Sequence, residues 1–173
     1  IMLHLPSFTV DSGFSANVGM TGVALIGLFN VFGSFIFGWA GGKGSKKNLL
    51  VLIYAARAVA IAIFLVVPLS VPSIWVFSAV MGLLWLATVP LTNGLVAQIF
   101  GLRFMSMLTG IVFLGHQLGS FLGAWLGGVI FDKTGSYNLA WWLSIGLSIV
   151  AAAFCWPVKE TAIERAATQP AAA

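Results

Sequence analysis

The sequence predicts an all-α membrane protein built around five spanning helices. Three observations carry that reading. Of 173 residues, 60% are hydrophobic and only 7% are charged. The mean hydropathy is +1.06. The apolar residues also gather into five runs, each long enough to cross the hydrocarbon of a bilayer, which takes about 20 residues at 1.5 Å each. A soluble domain carries about a quarter charged residues, so this chain has too little polar surface to face water on all sides.

The opening Ile1–Val10 is apolar but too short to cross. It reads as the tail of a further span with no charged leader, so the chain is expected to be a fragment of a longer protein. The full spans are expected at about 17–41, 48–68, 73–99, 104–131 and 138–157, and residues 1–158 form one helical bundle. The breaks carry turn chemistry: Asp11-Ser12-Gly13, Gly41 through Ser45, Pro68 through Pro72, Gly101, and Thr134-Gly135-Ser136. Residues 159–173, alanine-rich and of mixed charge, read as a frayed tail. Trp75, Trp141, Trp142 and Trp156 lie near span ends, where amphipathic rings anchor a helix at the membrane interface.

Charge sets the orientation. Lys43, Lys46, Lys47, Arg103, Lys159 and Arg165 fall on one side of the expected spans, and Lys133 alone on the other beside Asp11 and Asp132. The positive-inside rule then places the lysine loop and the C-terminus in the cytoplasm. The net charge of +4 is scattered over loops, which excludes a nucleic-acid surface. The single cysteine, Cys155, rules out an internal disulfide and reads as a small packing residue.

Two loops echo each other. Gly38-Trp-Ala-Gly-Gly42-Lys43-Gly-Ser45-Lys46 closes the first full span, and Gly128-Val-Ile-Phe-Asp132-Lys133-Thr-Gly135-Ser136 closes the fourth, on the opposite face. Three spans per unit in inverted orientation is the mark of nested repeats in secondary transporters. The lysine loop resembles the G-x-x-x-D-R-x-G-R/K-R/K motif of the major facilitator superfamily. It keeps Gly38, Lys43, Lys46 and Lys47, and departs at Gly42, where the family has Asp, and at Ser45, where it has Gly. The phrase Gly115-His116-Gln117-Leu118-Gly119-Ser120-Phe121-Leu122-Gly123 is similar to bacterial members related to the monocarboxylate-transporter branch. Unlike the eighth helix of animal monocarboxylate transporters, residues 17–41 hold neither Asp nor Arg. The resemblance implies the C-terminal six-helix half of a twelve-helix bundle, namely the end of helix seven plus helices eight to twelve. It implies as partners the bilayer, a small-molecule substrate and an N-terminal half of the same protein, in a bacterial inner membrane. The motif loops, with Asp132 and Lys133 in the second copy, are then expected to latch one conformation, less firmly with Gly42 in the acidic place.

Several residues inside the spans are candidates for chemistry. Arg57 lies nine residues past Asn48, about 13 Å along a helix and near mid-bilayer. A charge there costs about 2.5 kcal/mol or more and needs a partner. Its planar fork suits a substrate carboxylate, or else the carbonyls of a neighbouring span. His116, the one group within the spans that titrates near neutral pH, is a candidate for proton coupling, or else a neutral histidine bonded to a neighbouring helix. Gly115, Gly119, Gly123 and Gly127 recur every fourth residue and offer one smooth face for close helix packing. The third span is polar, with Thr88, Thr92, Asn93 and Gln98. Pro90 at its middle removes a helical hydrogen bond and is expected to bend it. On a continuous helix Trp85, Thr88 and Thr92 share a face, and Asn30 shares one with Gly27 and Ser34. Together with Arg57 and Asn93 these are the expected substrate contacts, against the common alternative of interhelical bonding.

Catalysis finds no support. The carboxylates Asp11, Asp132, Glu160 and Glu164 all lie in loops or the tail, and neither a phosphate loop, a metal cluster nor a cofactor motif is present. The expected function is secondary active transport of a small organic anion, a monocarboxylate, by alternating access. Export of drugs or other hydrophobic solutes is the alternative, with a non-transporting sensor or assembly factor the reading from a different class.

Overall fold

The structure, a computed structural model, describes residues 4–163, and every regular element among them is helical. The elements are α1 (Leu5–Asp11), α2 (Ala16–Lys43), α3 (Lys46–Val66), α4 (Val71–Trp85), α5 (Thr88–Phe100), α6 (Met105–Thr134) and α7 (Asn138–Cys155), with a 3-10 turn at Leu102–Phe104 before α6. Five stretches are long and apolar enough to cross a membrane: α2, α3, α4 with α5, the 3-10 turn with α6, and α7. The molecule is a multi-pass membrane protein.

Local chemistry explains most boundaries. The Ser45 hydroxyl accepts a hydrogen bond from the Asn48 N–H at 3.2 Å and so caps α3. Ser70 and Ser73 form a reciprocal capping box at the start of α4, with Pro72 in its first turn. Gly135 ends α6 in the left-handed region (φ 65°), its N–H on the Phe131 carbonyl at 2.7 Å. The Gly41-Gly42 pair does not interrupt the first span as expected. Helix α2 runs on through it to Lys43, and the turn narrows to Gly44 and Ser45. The reason is packing: a Cβ on Gly41 would come within 2.5 Å of the Leu91 side chain, so the glycine serves helix contact rather than chain reversal.

The third crossing holds the bundle together. It is the most buried of the five, and that formed by α6 is the least. On one side Leu84, Ala87, Leu91 and Leu95 pack against Leu50 and Ile53 of α3. On the other, Phe77 of α4 stacks on Phe64 of α3 with ring centres 4.1 Å apart, and Trp141 of α7 meets both edge-on. Trp141 is thus a core residue and not the interfacial anchor its position suggested, because α7 turns it inward while Trp142 faces out. Helices α2 and α4 approach closely through glycine. A Cβ on Gly82 would lie 2.6 Å from the Ile26 carbonyl, and one on Gly33 would overlap the Leu83 backbone.

The tail also differs from expectation over its first residues. The Gln98 amide donates to the Glu160 carbonyl at 2.8 Å, and the Ile163 N–H to the Ile99 carbonyl at 3.0 Å, so this stretch is strapped onto the end of α5. Glu164, Arg165 and the rest of the tail lie outside the described residues.

Candidate functional site at a broken helix

The crossing from Val71 to Phe100 is two helices. α4 ends at Trp85, α5 starts at Thr88, and Leu86 and Ala87 lie between them. Pro90 is the cause. It has no N–H for the Leu86 carbonyl four residues back, and its ring crowds that carbonyl. The Val89 N–H takes the Leu86 carbonyl instead, at 2.9 Å. The sequence predicts a bend at Pro90; the structure puts a full break one turn earlier.

Two side chains from two neighbouring helices bond the backbone at the break. From α3, one terminal nitrogen of the Arg57 guanidinium donates to the carbonyls of both Leu84 and Trp85. From α2, the Asn30 side-chain oxygen accepts from the Leu86 N–H at 2.9 Å. The Arg57 guanidinium also lies 5.3 Å from the Tyr54 ring centre and 5.9 Å from that of Trp85. Among the described residues no carboxylate pairs with it, so the negative end of the α4 dipole faces its charge. Of its two expected roles, Arg57 adopts the carbonyl-bonded one here.

The break revises the expected shared face of Trp85, Thr88 and Thr92. Trp85 closes α4, while Thr88 and Thr92 lie one turn apart on α5, so no continuous helix aligns all three. Thr88, Thr92 and Asn93 are half-buried, and their side chains make no hydrogen bond among the described residues. They are the polar groups at this level that retain free hydrogen-bonding capacity, whereas Asn30 and Arg57 are engaged with backbone.

His116 is exposed on α6, and its ring faces that of Phe113, with centres 6.3 Å apart. No described Ser or Asn reaches it. Along the glycine stripe, a Cβ on Gly115, Gly119 or Gly123 would meet nothing within 4 Å, while one on Gly127 would strike the His4 imidazole at 2.7 Å. The His4 Nε2 also lies 3.0 Å from the Ala124 carbonyl. The stripe is therefore engaged at one end and open over the rest.

The lysine loop gathers one end of the bundle. Lys43 lies over the Trp39 ring at 4.0 Å. Lys46 passes Gly94, where a Cβ would sit 3.0 Å from its Cε, and donates to Gln98 at 2.8 Å. The Lys47 ammonium donates to the Trp156 carbonyl at 3.1 Å, and the Lys47 backbone N–H donates to the Glu160 carboxylate at 2.6 Å. Glu160 so caps the positive end of α3. Gly38 lies against Pro90, 3.5 Å from where a Cβ would stand. Asp132 and Lys133 sit exposed in the last turn of α6, and no ion pair links them to the lysine loop. Sequence reasoning missed Glu160 and Tyr54; a Glu placed just after the last span, facing a serine-capped helix start, was the available signal.

The model of the Major Facilitator Superfamily matches residues 1–172. The chain belongs to the Major Facilitator Superfamily. Membership agrees with the resemblance carried by the lysine loop and with half of a helical bundle, and this is a family of transporters rather than enzymes. Among relatives, the uncharacterized MFS-type transporter YcxA of Bacillus subtilis is 28% identical over 141 residues, 79% of this chain and 34% of the relative. Monocarboxylate transporter 12 of Rattus norvegicus is 26% identical over 146 residues, 83% of this chain and 30% of that protein. The human protein of the same name is 25% identical over 153 residues. The chain spans about a third of the length of these curated relatives.

Proposed function

We propose that the protein containing this chain is a secondary active transporter that moves a small organic anion, a monocarboxylate, by alternating access. The observation that carries the reading is the broken crossing. A discontinuous helix at mid-bundle points the N-terminal end of α5 and the half-buried Thr88, Thr92 and Asn93 at one level. In secondary transporters such half-helix ends meet anionic substrates near the bilayer midplane. The similarity to proteins named monocarboxylate transporter 12 supports the substrate class. On this reading Thr88, Thr92, Asn93 and the Trp85 ring contact substrate, and Asn30 and Arg57 stand behind them.

The open side of α6 belongs to the same proposal. Every residue from Gly110 to Gly123 is exposed, too much lipid-facing glycine for a helix that merely spans. We assign this face to an N-terminal half of the same protein, with His116 beside it as the proton-coupling group. The similarity to a Bacillus subtilis relative supports a bacterial inner membrane, and the charge asymmetry supports a cytoplasmic lysine loop and C-terminus. The lysine loop and the Asp132–Lys133 turn are the proposed conformational elements.

The test is uptake of labelled lactate or pyruvate into vesicles holding the full-length gene product, with and without a pH gradient. Saturable, gradient-stimulated uptake is expected. No saturable flux for any organic acid, with export of a hydrophobic dye in its place, would remove the anion reading.

A further inference from the structure

We propose that Arg57 is a positioning residue whose task is to hold the α4–α5 break open, with Asn30 of α2 as its counterpart. The break is a liability that the chain has had to satisfy. Interrupting a helix frees carbonyls at the end of the first half and N–H groups at the start of the second, and in hydrocarbon each freed group costs several kcal/mol unless it finds a partner.

The partners come from two different helices. Arg57 of α3 takes the carbonyls of Leu84 and Trp85, which a continuous helix would give to residues 88 and 89. Asn30 of α2 takes the N–H of Leu86. One donor group and one acceptor group arrive where donors and acceptors were released, and each has the right polarity. The guanidinium suits the task for a further reason. It is a cation at the carbonyl end of a half-helix, where the dipole is negative, and a single nitrogen there serves two acceptors at once. Tyr54, one turn before Arg57 on α3, places its ring beside the guanidinium and fixes the approach. Arg57 and Pro90 then form one device. The proline opens the helix, and the arginine takes two of the carbonyls freed at the break.

This inference needs only the fold, so it stands apart from the choice of substrate. The test is a double-mutant cycle in the full-length gene product, reading the yield of monodisperse folded protein and its Tm in detergent. Arg57→Leu alone should cut folded yield at least fivefold, since two carbonyls lose their donor. Arg57→Lys should fall between, because an ammonium keeps the charge without the fork. Pro90→Ala lets residues 84–90 close into a continuous helix, so the cost of Arg57→Leu should shrink to less than twofold in that background. Pro72→Ala, in the first turn of α4 and away from the break, is the control and should leave the cost of Arg57→Leu unchanged. If the Arg57→Leu and Pro90→Ala losses simply multiply, Arg57 has no bond to the break and the proposal fails. If Arg57→Leu folds like the parent but loses lactate uptake, Arg57 is a substrate contact and the brace is equally refuted. Failure of lactate uptake in the parent would sink the anion reading and leave this cycle unaffected.

Discussion

Helices α2 and α6 are both long, apolar and rich in glycine, yet they use glycine in opposite ways. In α2, Gly19, Gly22 and Gly33 are buried against α1 and α4, and a Cβ at any of them would meet another helix at 2.9 Å or less. In α6, Gly115, Gly119 and Gly123 stand open. Lipid tails are as apolar as leucine, so helices in a bilayer gain little by hiding side chains from lipid. They gain by letting backbones touch. The α2–α4 contact is such a surface already filled, and the α6 stripe is the same kind of surface unfilled. The regularity of a glycine pattern does not by itself tell a filled surface from an open one.

Four measurements would break or sharpen that contrast. The largest effect is expected for Gly33→Leu, whose side chain would drive into the Leu83 backbone. It should cost about 3 kcal/mol or more and remove the folded protein from a size-exclusion profile. Gly119→Leu should leave that profile intact and instead block transport by the full-length product. Equal loss of folded protein from both would erase the distinction between the two helices.

Asn30→Leu comes next. It strands the Leu86 N–H, for a cost of about 1–3 kcal/mol, while Asn30→Asp keeps the acceptor and should retain more of the folded protein. A Leu variant as thermostable as the parent would show that α2 touches the break without supporting it.

On the open side, His116→Gln should reduce lactate accumulation driven by a proton gradient about tenfold, with substrate exchange across equal pH continuing. A group whose energy is the same in both conformations cannot couple anything, so undiminished accumulation would leave His116 without a role in coupling. The smallest effect belongs to Glu160→Gln. Loss of the charged cap on α3 should lower stability by about 0.3–1 kcal/mol, a difference that narrows as salt is raised. No change in Tm at low salt would make the Glu160 contact incidental.

The sequence made the crossings legible because hydrocarbon thickness sets a length and turn residues mark its ends. Thus 138–157 was read for Asn138–Cys155, and 17–41 for Ala16–Lys43. It could not show the break at Leu86, because proline announces a lost bond without saying where the strain goes. The side chains that bond the backbone there, Arg57 and Asn30, are each more than 25 residues away along the chain. The candidate site was legible as residue types. Arg57 was marked by the cost of a mid-membrane charge, and the choice between its two expected partners had to wait for geometry. Trp141 and Trp142 show the limit most simply. They are adjacent and identical, and one lies in an aromatic core while the other faces outward, since a helix turns about 100° between them.

The Glu160 contact has a consequence for the order in which the protein is made. The N-terminus of α3 receives its first cap from Ser45, three residues away, but its second only from a residue 113 positions later. During synthesis the corner between α2 and α3 must enter the membrane with one cap, and it is completed after α7 has been inserted. A released product truncated after Val158 should therefore hold this corner open to protease, and one truncated after Ile163 should close it.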